Sequence, residues 1–381
     1  MPHMLRRRRY HTFGREAVKR GRRGPFGGSM FTLLVTGGAG FIGSNLVRRA
    51  LSDPDTRVIT LDLLTYAGSL ENLEGVLQHP RHRFVRGDVC DAALVSSILR
   101  THRPDAVLHL AAESHVDRSI DDASRFVHTN VDGTRVMLEA TRRYLKDGLA
   151  PAGFRYVQVS TDEVYGSLGD EGRFREDSPF APNSPYAASK AAADLLVRAW
   201  HQTYGLPTVT THCCNNFGPY QFPEKLIPVV VLNALEGRAL PVYGDGRQVR
   251  EWMHVEDHCA ALLLLAREGV AGRSYNIGSG EERTNLSLVT SLCDHLQSIA
   301  PRHGYAPPPD GYRALIRHVT DRPGHDRRYA VDCARILGET SWRPARVLEG
   351  ALHDTVSWFL DHQGWWEDAR DAAHTRLGLA A

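Results

Sequence analysis

Thr36-Gly37-Gly38-Ala39-Gly40-Phe41-Ile42-Gly43 follows the apolar run Phe31–Thr36 and leads into a helix-like segment, Ser44–Leu51. A strand, a glycine-rich turn and a helix in that order open a dinucleotide-binding βαβ unit. The spacing is GxxGxxG, so Gly37, Gly40 and Gly43 permit the tight turn and let backbone N–H groups of Phe41 and Ile42 approach a pyrophosphate at the helix N-terminus. Asp62 ends the next apolar run, nineteen residues after Gly43. A carboxylate there accepts hydrogen bonds from a ribose diol and repels a 2′-phosphate, which predicts NAD rather than NADP. Asp88 and Val89, after the third run, are expected at the adenine edge.

Outward from this turn, short apolar runs alternate with stretches of helical length. The strand candidates are Phe31–Thr36, Arg57–Asp62, Arg83–Gly87, Ala106–Leu110, Phe154–Ser160 and Thr208–Thr211. The helix candidates include Ser44–Leu51, Ala93–Arg100 and Asp122–Leu145. Near-continuous apolar strands are covered on both faces, so the pattern predicts an α/β fold, a Rossmann-type doubly wound parallel sheet. After Phe217 the chain becomes irregular and proline-rich, which predicts a smaller C-terminal α/β substrate domain. The expected division is a basic arm over 1–29, an NAD-binding domain over 30–214 with 252–278 returning to it, and a substrate-binding domain over 215–251 and 279–381.

Composition narrows the function classes. Of 381 residues, 42% are hydrophobic and 24% charged, as in a soluble globular protein. No apolar run reaches the ~20 residues of a membrane helix, so no membrane association is expected. Nine of the first 29 residues are Lys or Arg against one acid, Glu16; the rest carries 37 bases and 43 acids. The mildly acidic body has no general attraction for nucleic acid, and no apolar core follows the arginines to make a secretory signal. The arm reads as a solvated tail, with Met30 opening the folded part. The six cysteines show no CxxC and no zinc spacing, so reduced thiols, no metal and a cytoplasmic location are expected.

Asn183-Ser184-Pro185-Tyr186-Ala187-Ala188-Ser189-Lys190 reads as a helix start, with Ser184 as cap and Pro185 at the first helical position. Tyr186 and Lys190 then share a face. A cation beside a phenol lowers its pKa, so the pair predicts a tyrosine general base, with Lys190 also holding the nicotinamide ribose.

With the glycine turn, Tyr186 and Lys190, the chain resembles the extended short-chain dehydrogenase/reductases, and within them most closely the dTDP-glucose 4,6-dehydratases. The likeness covers about Phe31 to Trp342. It is carried by Leu64-Thr65-Tyr66-Ala67-Gly68, by the run from Leu110 to Ser119, and by Ser160-Thr161-Asp162-Glu163-Val164-Tyr165-Gly166. Further on it is carried by the run from Asn215 to Pro228 and that from Asp321 to Tyr329. The resemblance implies that Thr161 hydrogen-bonds the sugar at carbon 4, that Asp162 is the general acid and Glu163 the general base of dehydration. It further implies that Ala111, Ala112, Ser114, Thr129 and Asn216 line the NAD site. Ser114, Asn215, Lys225, Leu226, Pro241, Tyr243, Arg250, Asn285, Arg322 and His325 are then expected around the nucleotide-sugar. Lys225, Arg250 and Arg322 suit a diphosphate on charge alone. A homodimer joined through Asp122–Leu145 and Pro185–Tyr204 is also implied.

The sequence departs from the family at Leu63, where a Lys is usual, and at Cys214, Phe217 and Ala187, where Ser, Tyr and Ser are usual; the loop Ser167–Pro182 is shorter than in some members. None of these removes a reacting group. A nucleotide-sugar 4-epimerase would share Tyr186 and Lys190 but has no work for Asp162 and Glu163. A UDP-sugar dehydratase and a silent NAD-sensing binding protein are the other readings, the second opposed by the intact Thr161, Tyr186 and Lys190.

Overall fold

The computed structural model describes residues 30–321 and 324–367; the basic arm lies outside the described residues. Twelve strands are ordered along the chain: β1 Phe31–Thr36, β2 Thr56–Asp62, β3 His82–Arg86, β4 Ala106–His109, β5 Arg155–Thr161, β6 Thr208–Cys213, β7 Asn215–Phe217, β8 Leu240–Tyr243, β9 Val249–His254, β10 Ser274–Ile277, β11 Glu282–Thr284 and β12 Ile316–Val319. Seven form one sheet in the order β10-β6-β5-β4-β1-β2-β3, and every neighbouring pair in it is parallel. The six strands expected from the apolar runs are all present, displaced by no more than two residues at either end.

Apolar layers cover both faces of this sheet. One contains Leu33, Val35, Leu46, Val58 and Leu262; the other contains Leu34, Ile59, Val107, Leu138 and Tyr156. Alternate residues of β1 thus enter opposite cores, which is why the strand is apolar throughout. The chain reverses direction across the sheet between β1 and β4. Such a point leaves a crevice outside the carboxyl ends of the strands.

The smaller sheets are β11-β9-β7 and the pair β12-β8. The helices Leu226–Leu235, Asn285–Ile299 and Leu348–Asp361 pack on one another around Val230, Leu292 and Phe359. Chain 252–278 is shared: β9 runs to His254 in a small sheet, whereas the helix Val255–Glu268 packs on the large sheet and β10 extends it beside β6. Within 279–381, Ile336 and Trp342 enter the core of the large sheet rather than that of the small ones. The Trp342 indole donates to the Asp257 carbonyl at 2.9 Å, which fixes the crossing.

One expected helix is not uniform. Asp122–Leu145 is interrupted by a wide π turn over Val127–Asp132, between Ser124–Phe126 and Gly133–Lys146. Such turns concentrate at functional sites. Here it carries Asn130 inward, where its amide accepts from the Glu113 N–H at 2.9 Å and donates to the Glu113 carbonyl at 3.0 Å and to Ser189 Oγ at 2.8 Å.

Candidate active site

The glycine turn is shaped by contacts a side chain would break. Gly37 has φ +69°, and a Cβ there would lie 2.7 Å from the Ala111 nitrogen; at Gly43 it would lie 2.1 Å from the Gly37 carbonyl oxygen. Gly40 caps the helix Phe41–Leu51 with no side-chain hydrogen bond, so the first-turn N–H groups stay available to an anion. Asp62 is buried at the end of β2. Its Oδ2 accepts from the Ala39 N–H at 2.9 Å and its Oδ1 from the Leu64 N–H at 2.8 Å. Burial nevertheless pushes its pKa up.

A cavity of 380 Å³ opens over the sheet's switch point. Every expected cofactor residue lines it: Gly37, Gly40, Phe41, Ile42, Gly43, Asp62, Asp88, Val89, Ala111, Ala112, Ser114, Thr129, Tyr186, Lys190 and Asn216. Thr129 arrives on the π turn, and Asp88 receives the Cys90 N–H at 2.8 Å. Asn216 leaves its side-chain oxygen buried without a hydrogen-bond partner among the described residues.

The reacting groups converge at the end of β5. Thr161 closes the strand and caps the short turn Asp162–Tyr165 by accepting the Glu163 N–H. Tyr186 and Lys190 come from the first turns of Pro185–Tyr204, whose cap is as expected: Ser184 Oγ accepts from the Ala187 N–H at 3.1 Å and Pro185 opens the helix. Thr161, Asp162, Glu163, Tyr186 and Lys190 all line the cavity.

Two electrostatic details matter. Asp162 is 1% exposed, and its Oδ2 has no hydrogen-bond partner among the described residues. Burial raises its pKa well above the usual carboxylate range, and the charges of Glu163 and Glu251 raise it further. Lys190, by contrast, does not outweigh the burial of Tyr186. Its ammonium donates to the Val159 carbonyl at 2.7 Å, and burial, then Glu163, holds the Tyr186 phenol neutral. The sequence expectation of a depressed tyrosine is corrected here, because desolvation outweighs a cation that is bonded elsewhere.

The expected sugar-nucleotide residues divide. Ser114, Thr161, Asn215, Lys225 and Leu226 line the cavity. Lys225 Nζ donates to the Ser114 carbonyl at 2.8 Å. Pro241, Tyr243, Arg250, Asn285 and His325 are not among its walls; they sit on β8, on β9, at a helix start and near Asp321. Arg250 stacks 4.3 Å over the Tyr329 ring and donates to the Asp326 carbonyl at 3.0 Å, and its charge is felt by Asp162. Tyr243 meets His325 edge-on at 6.1 Å. Asn285 Oδ1 is buried without a hydrogen-bond partner among the described residues. Arg322 lies outside the described residues.

Several wall residues had no assigned role, among them Tyr66, Glu224 and Trp252. The Tyr66 hydroxyl donates to Glu224 Oε1 at 3.1 Å, and Arg118 reaches Oε2 at 3.0 Å while lying 3.7 Å over the Tyr66 ring. Tyr66 and Glu224 are within the segments that carry the resemblance, but nothing in their spacing pairs them.

A family model described as GDP-mannose 4,6 dehydratase matches residues 34–355. The dTDP-glucose 4,6-dehydratase of Xanthomonas campestris pv. campestris (strain B100) is 51% identical over 347 residues, 91% of this chain and 97% of that one. The crystal structure of DesIV, the dTDP-glucose 4,6-dehydratase of Streptomyces venezuelae, with NAD bound, superposes with a TM-score of 0.80 at 49% identity, covering 89% of this chain and 100% of that one. This chain belongs to the dTDP-glucose 4,6-dehydratase family. A UDP-glucose 4-epimerase of Thermotoga maritima shares the fold at a TM-score of 0.75 but only 28% identity, over 87% of this chain and 100% of that one.

Against the dTDP-glucose 4,6-dehydratases the departures fall outside the reacting groups. Leu63 is 43% exposed at the cavity wall. Cys214, Phe217 and Ala187 are buried, with Phe217 edge-on to His254 at 5.5 Å. All six cysteines are free, and no helix among the described residues is long and apolar enough to cross a membrane.

Proposed function

We propose that this chain converts dTDP-glucose to dTDP-4-keto-6-deoxyglucose with NAD as its resident cofactor. The carrying observation is Asp162: a sealed carboxyl with one unpartnered oxygen, beside Glu163 and in the same cavity as Tyr186. An epimerase needs only the tyrosine and a rotating ketone. A dehydratase needs, in addition, one carboxyl that keeps its proton and one that gives its up.

The residues present fit the cofactor. The Gly37–Gly43 turn has no space for a Cβ at its first and last positions, Asp62 stands where a ribose diol is recognised, and Asn216 and Lys190 reach the opposite end. Bound NAD would supply hydride acceptance at carbon 4 and hydride return at carbon 6, and its oxidised ring would bring a positive charge. Thr161 orients the 4-hydroxyl, and Tyr186, as the phenolate that this charge and Lys190 would favour against burial, takes its proton. Glu163 removes the proton on carbon 5, which the carbon-4 ketone has acidified. Asp162, kept neutral by burial, protonates the departing 6-hydroxyl, and water leaves. Glu163 then returns the proton to carbon 5, and with the hydride back on carbon 6 the sugar is not oxidised overall.

Asn215, Lys225, Leu226, Pro241, Tyr243, Arg250, Asn285, Arg322 and His325 would hold the nucleotide and diphosphate. In this reading the chain has a cofactor unit, 30–214 with most of 252–278, and a substrate unit formed by 215–251 and 279–381. A cytoplasmic homodimer joined through Asp122–Leu145 and Pro185–Tyr204 completes it, supported by the exposed apolar side chains Val127, Leu195 and Tyr204 on those segments. The test is incubation of purified protein with dTDP-glucose and UDP-glucose in parallel, without added NAD. Loss of one water from the dTDP-sugar is the expected result. Isomerisation without mass change would install the epimerase instead, and an unchanged sugar would leave only a binding protein.

A further inference from the structure

The helix that supplies Tyr186 and Lys190 carries a second buried charge that the proposed mechanism leaves unused. Asp194 lies one turn beyond Lys190 and is 4% exposed; Lys190 is 5% exposed. Two groups converge on Asp194 Oδ2: Ser160 Oγ donates at 2.6 Å, and His212 Nε2 lies at 3.3 Å. The Tyr165 hydroxyl lies 2.9 Å from the other nitrogen of His212. Asp194 Oδ1 has no hydrogen-bond partner among the described residues, and four places along the helix Asp194 shares a face with Lys190.

An ammonium cut off from water releases its proton unless an anion faces it. Burial indeed draws the Lys190 pKa down, and Asp194 is the largest influence opposing that. The other groups packed about Lys190 supply no comparable charge. His109 on β4 is neutral, its pKa drawn down to about 3 by burial and then by Lys190 itself. The Cys213 thiol on β6 is pushed up to about 12 and stays protonated, and Tyr186 is neutral. On the turn after β5, Asp162 is protonated, and Glu163 bears on Tyr186 and Asp162. On the adjoining helix Val116–Asp121, Arg118 is taken up by Glu224. Farther along, Arg142 is stacked over Tyr204 at the far end of the tyrosine helix.

We propose that Asp194 is a positioning residue of the reaction, the buried counter-charge that keeps Lys190 protonated at the pH of catalysis. It acts from behind the site, through Lys190, and touches neither sugar nor cofactor. This rests on the Tyr186–Lys190 reading above. Lys190 then stays cationic above neutral pH although burial works against it, and the alkaline limit of the first hydride transfer is set by Lys190 with Asp194 behind it, whereas Tyr186, as the base, sets the acid limit.

The test is Asp194→Asn in the full chain, which keeps the shape and the Ser160 contact but removes the charge. Stopped-flow absorbance at the NADH band, with dTDP-glucose added, is recorded across pH 6 to 10. The alkaline limb of the burst should move down by about one pH unit or more, roughly tenfold at a fixed pH on that limb, with the burst below pH 7 close to wild type. Tyr165→Phe, which loosens His212 without changing charge, should leave that limb in place. An Asp194→Asn limb that coincides with wild type would overturn the proposal.

A second measurement needs no turnover. Asp194→Asn should lower Tm in the wild-type background but raise it in Lys190→Met, where the carboxylate has lost its cation. The same change in both backgrounds would refute the pairing. If the wild type shows no burst with dTDP-glucose while this reversal appears, the proposed substrate is wrong and the charge pair stands.

Discussion

Between Gly37 and Gly43 a single turn supplies five of the fifteen residues expected on the cofactor side of the cleft, and all fifteen line it. On the side proposed for the sugar, Asn215, Lys225 and Trp252 reach the same cavity from separate segments, while Arg250, Tyr243 and His325 are not among its walls. The first is a local device: a turn whose geometry follows from missing side chains, on a strand fixed by six parallel pairings to β2. The second draws on β7, β9 and the helix Asn285–Ile299, and exists only where these are packed together. Local devices fail by steric conflict at one position. Assembled ones fail by degrees, through lost affinity.

The largest effect that would sharpen this contrast lies where the two sides meet. Tyr186→Phe should remove the NADH burst, cutting the first hydride transfer by about 10³-fold, within the usual span for a general base. Asp162→Asn and Glu163→Gln should each keep that burst and lose about 10²-fold in overall turnover. A Glu163→Gln enzyme that turned over normally, or that lost the burst as fully as Tyr186→Phe, would undo the division of labour.

Smaller effects should separate the two sides. Gly43→Ala brings a methyl against the Gly37 carbonyl and should leave protein that releases little or no NAD on denaturation, while wild type releases NAD rather than NADP. Arg250→Gln should raise KM for dTDP-glucose by about tenfold, the scale of one charge-assisted hydrogen bond, with NAD content unchanged. NAD lost equally in both variants would mean that the sides are not separable.

The smallest expected effect concerns acid. Burial draws the pKa of His109 and His258 down to about 3 and that of His254 to about 4. Each is neutral when folded and takes up a proton on unfolding below about pH 6.5. The folded pKa is the lower one, so the stability tied to neutrality is present above pH 6.5 and is lost as pH falls toward 4. His258 has no hydrogen-bond partner on either ring nitrogen among the described residues. His258→Leu should therefore hold Tm at pH 5 about 2–3 °C above wild type, relative to their difference at pH 7.5, as read by scanning calorimetry.

The large sheet was legible because buried parallel strands must be apolar on both faces, and few other arrangements give runs like Thr32–Val35. Gly37–Gly43, Asp62, Asp88 and Val89 were legible for a related reason, since they follow the ends of such runs, whereas Ala111, Ala112, Ser114, Thr129 and Asn216 were named from the resemblance alone. The π turn was not: Val127–Asp132 is built of weak helix formers, but composition does not distinguish a widened turn from a break, and the bonds of Asn130 to Glu113 and Ser189 exist only once the fold is complete. The crossing of Ile336 and Trp342 to the large sheet was hidden likewise. The state of Tyr186 was misjudged because helical spacing places Lys190 on the same face but does not say that Val159 offers its ammonium a carbonyl.

Glu224, Arg118 and Tyr66 join the loops after β2, after β4 and after β7 into one clasp beside the cavity. In the proposed reaction a cofactor that stays bound beside this clasp would act as a part of the machine rather than as a traded metabolite. Its electrons leave the sugar and return to it without entering the common pool. The output of each chain then follows the supply of activated sugar and is indifferent to whether the surrounding cell is rich or poor in reducing power.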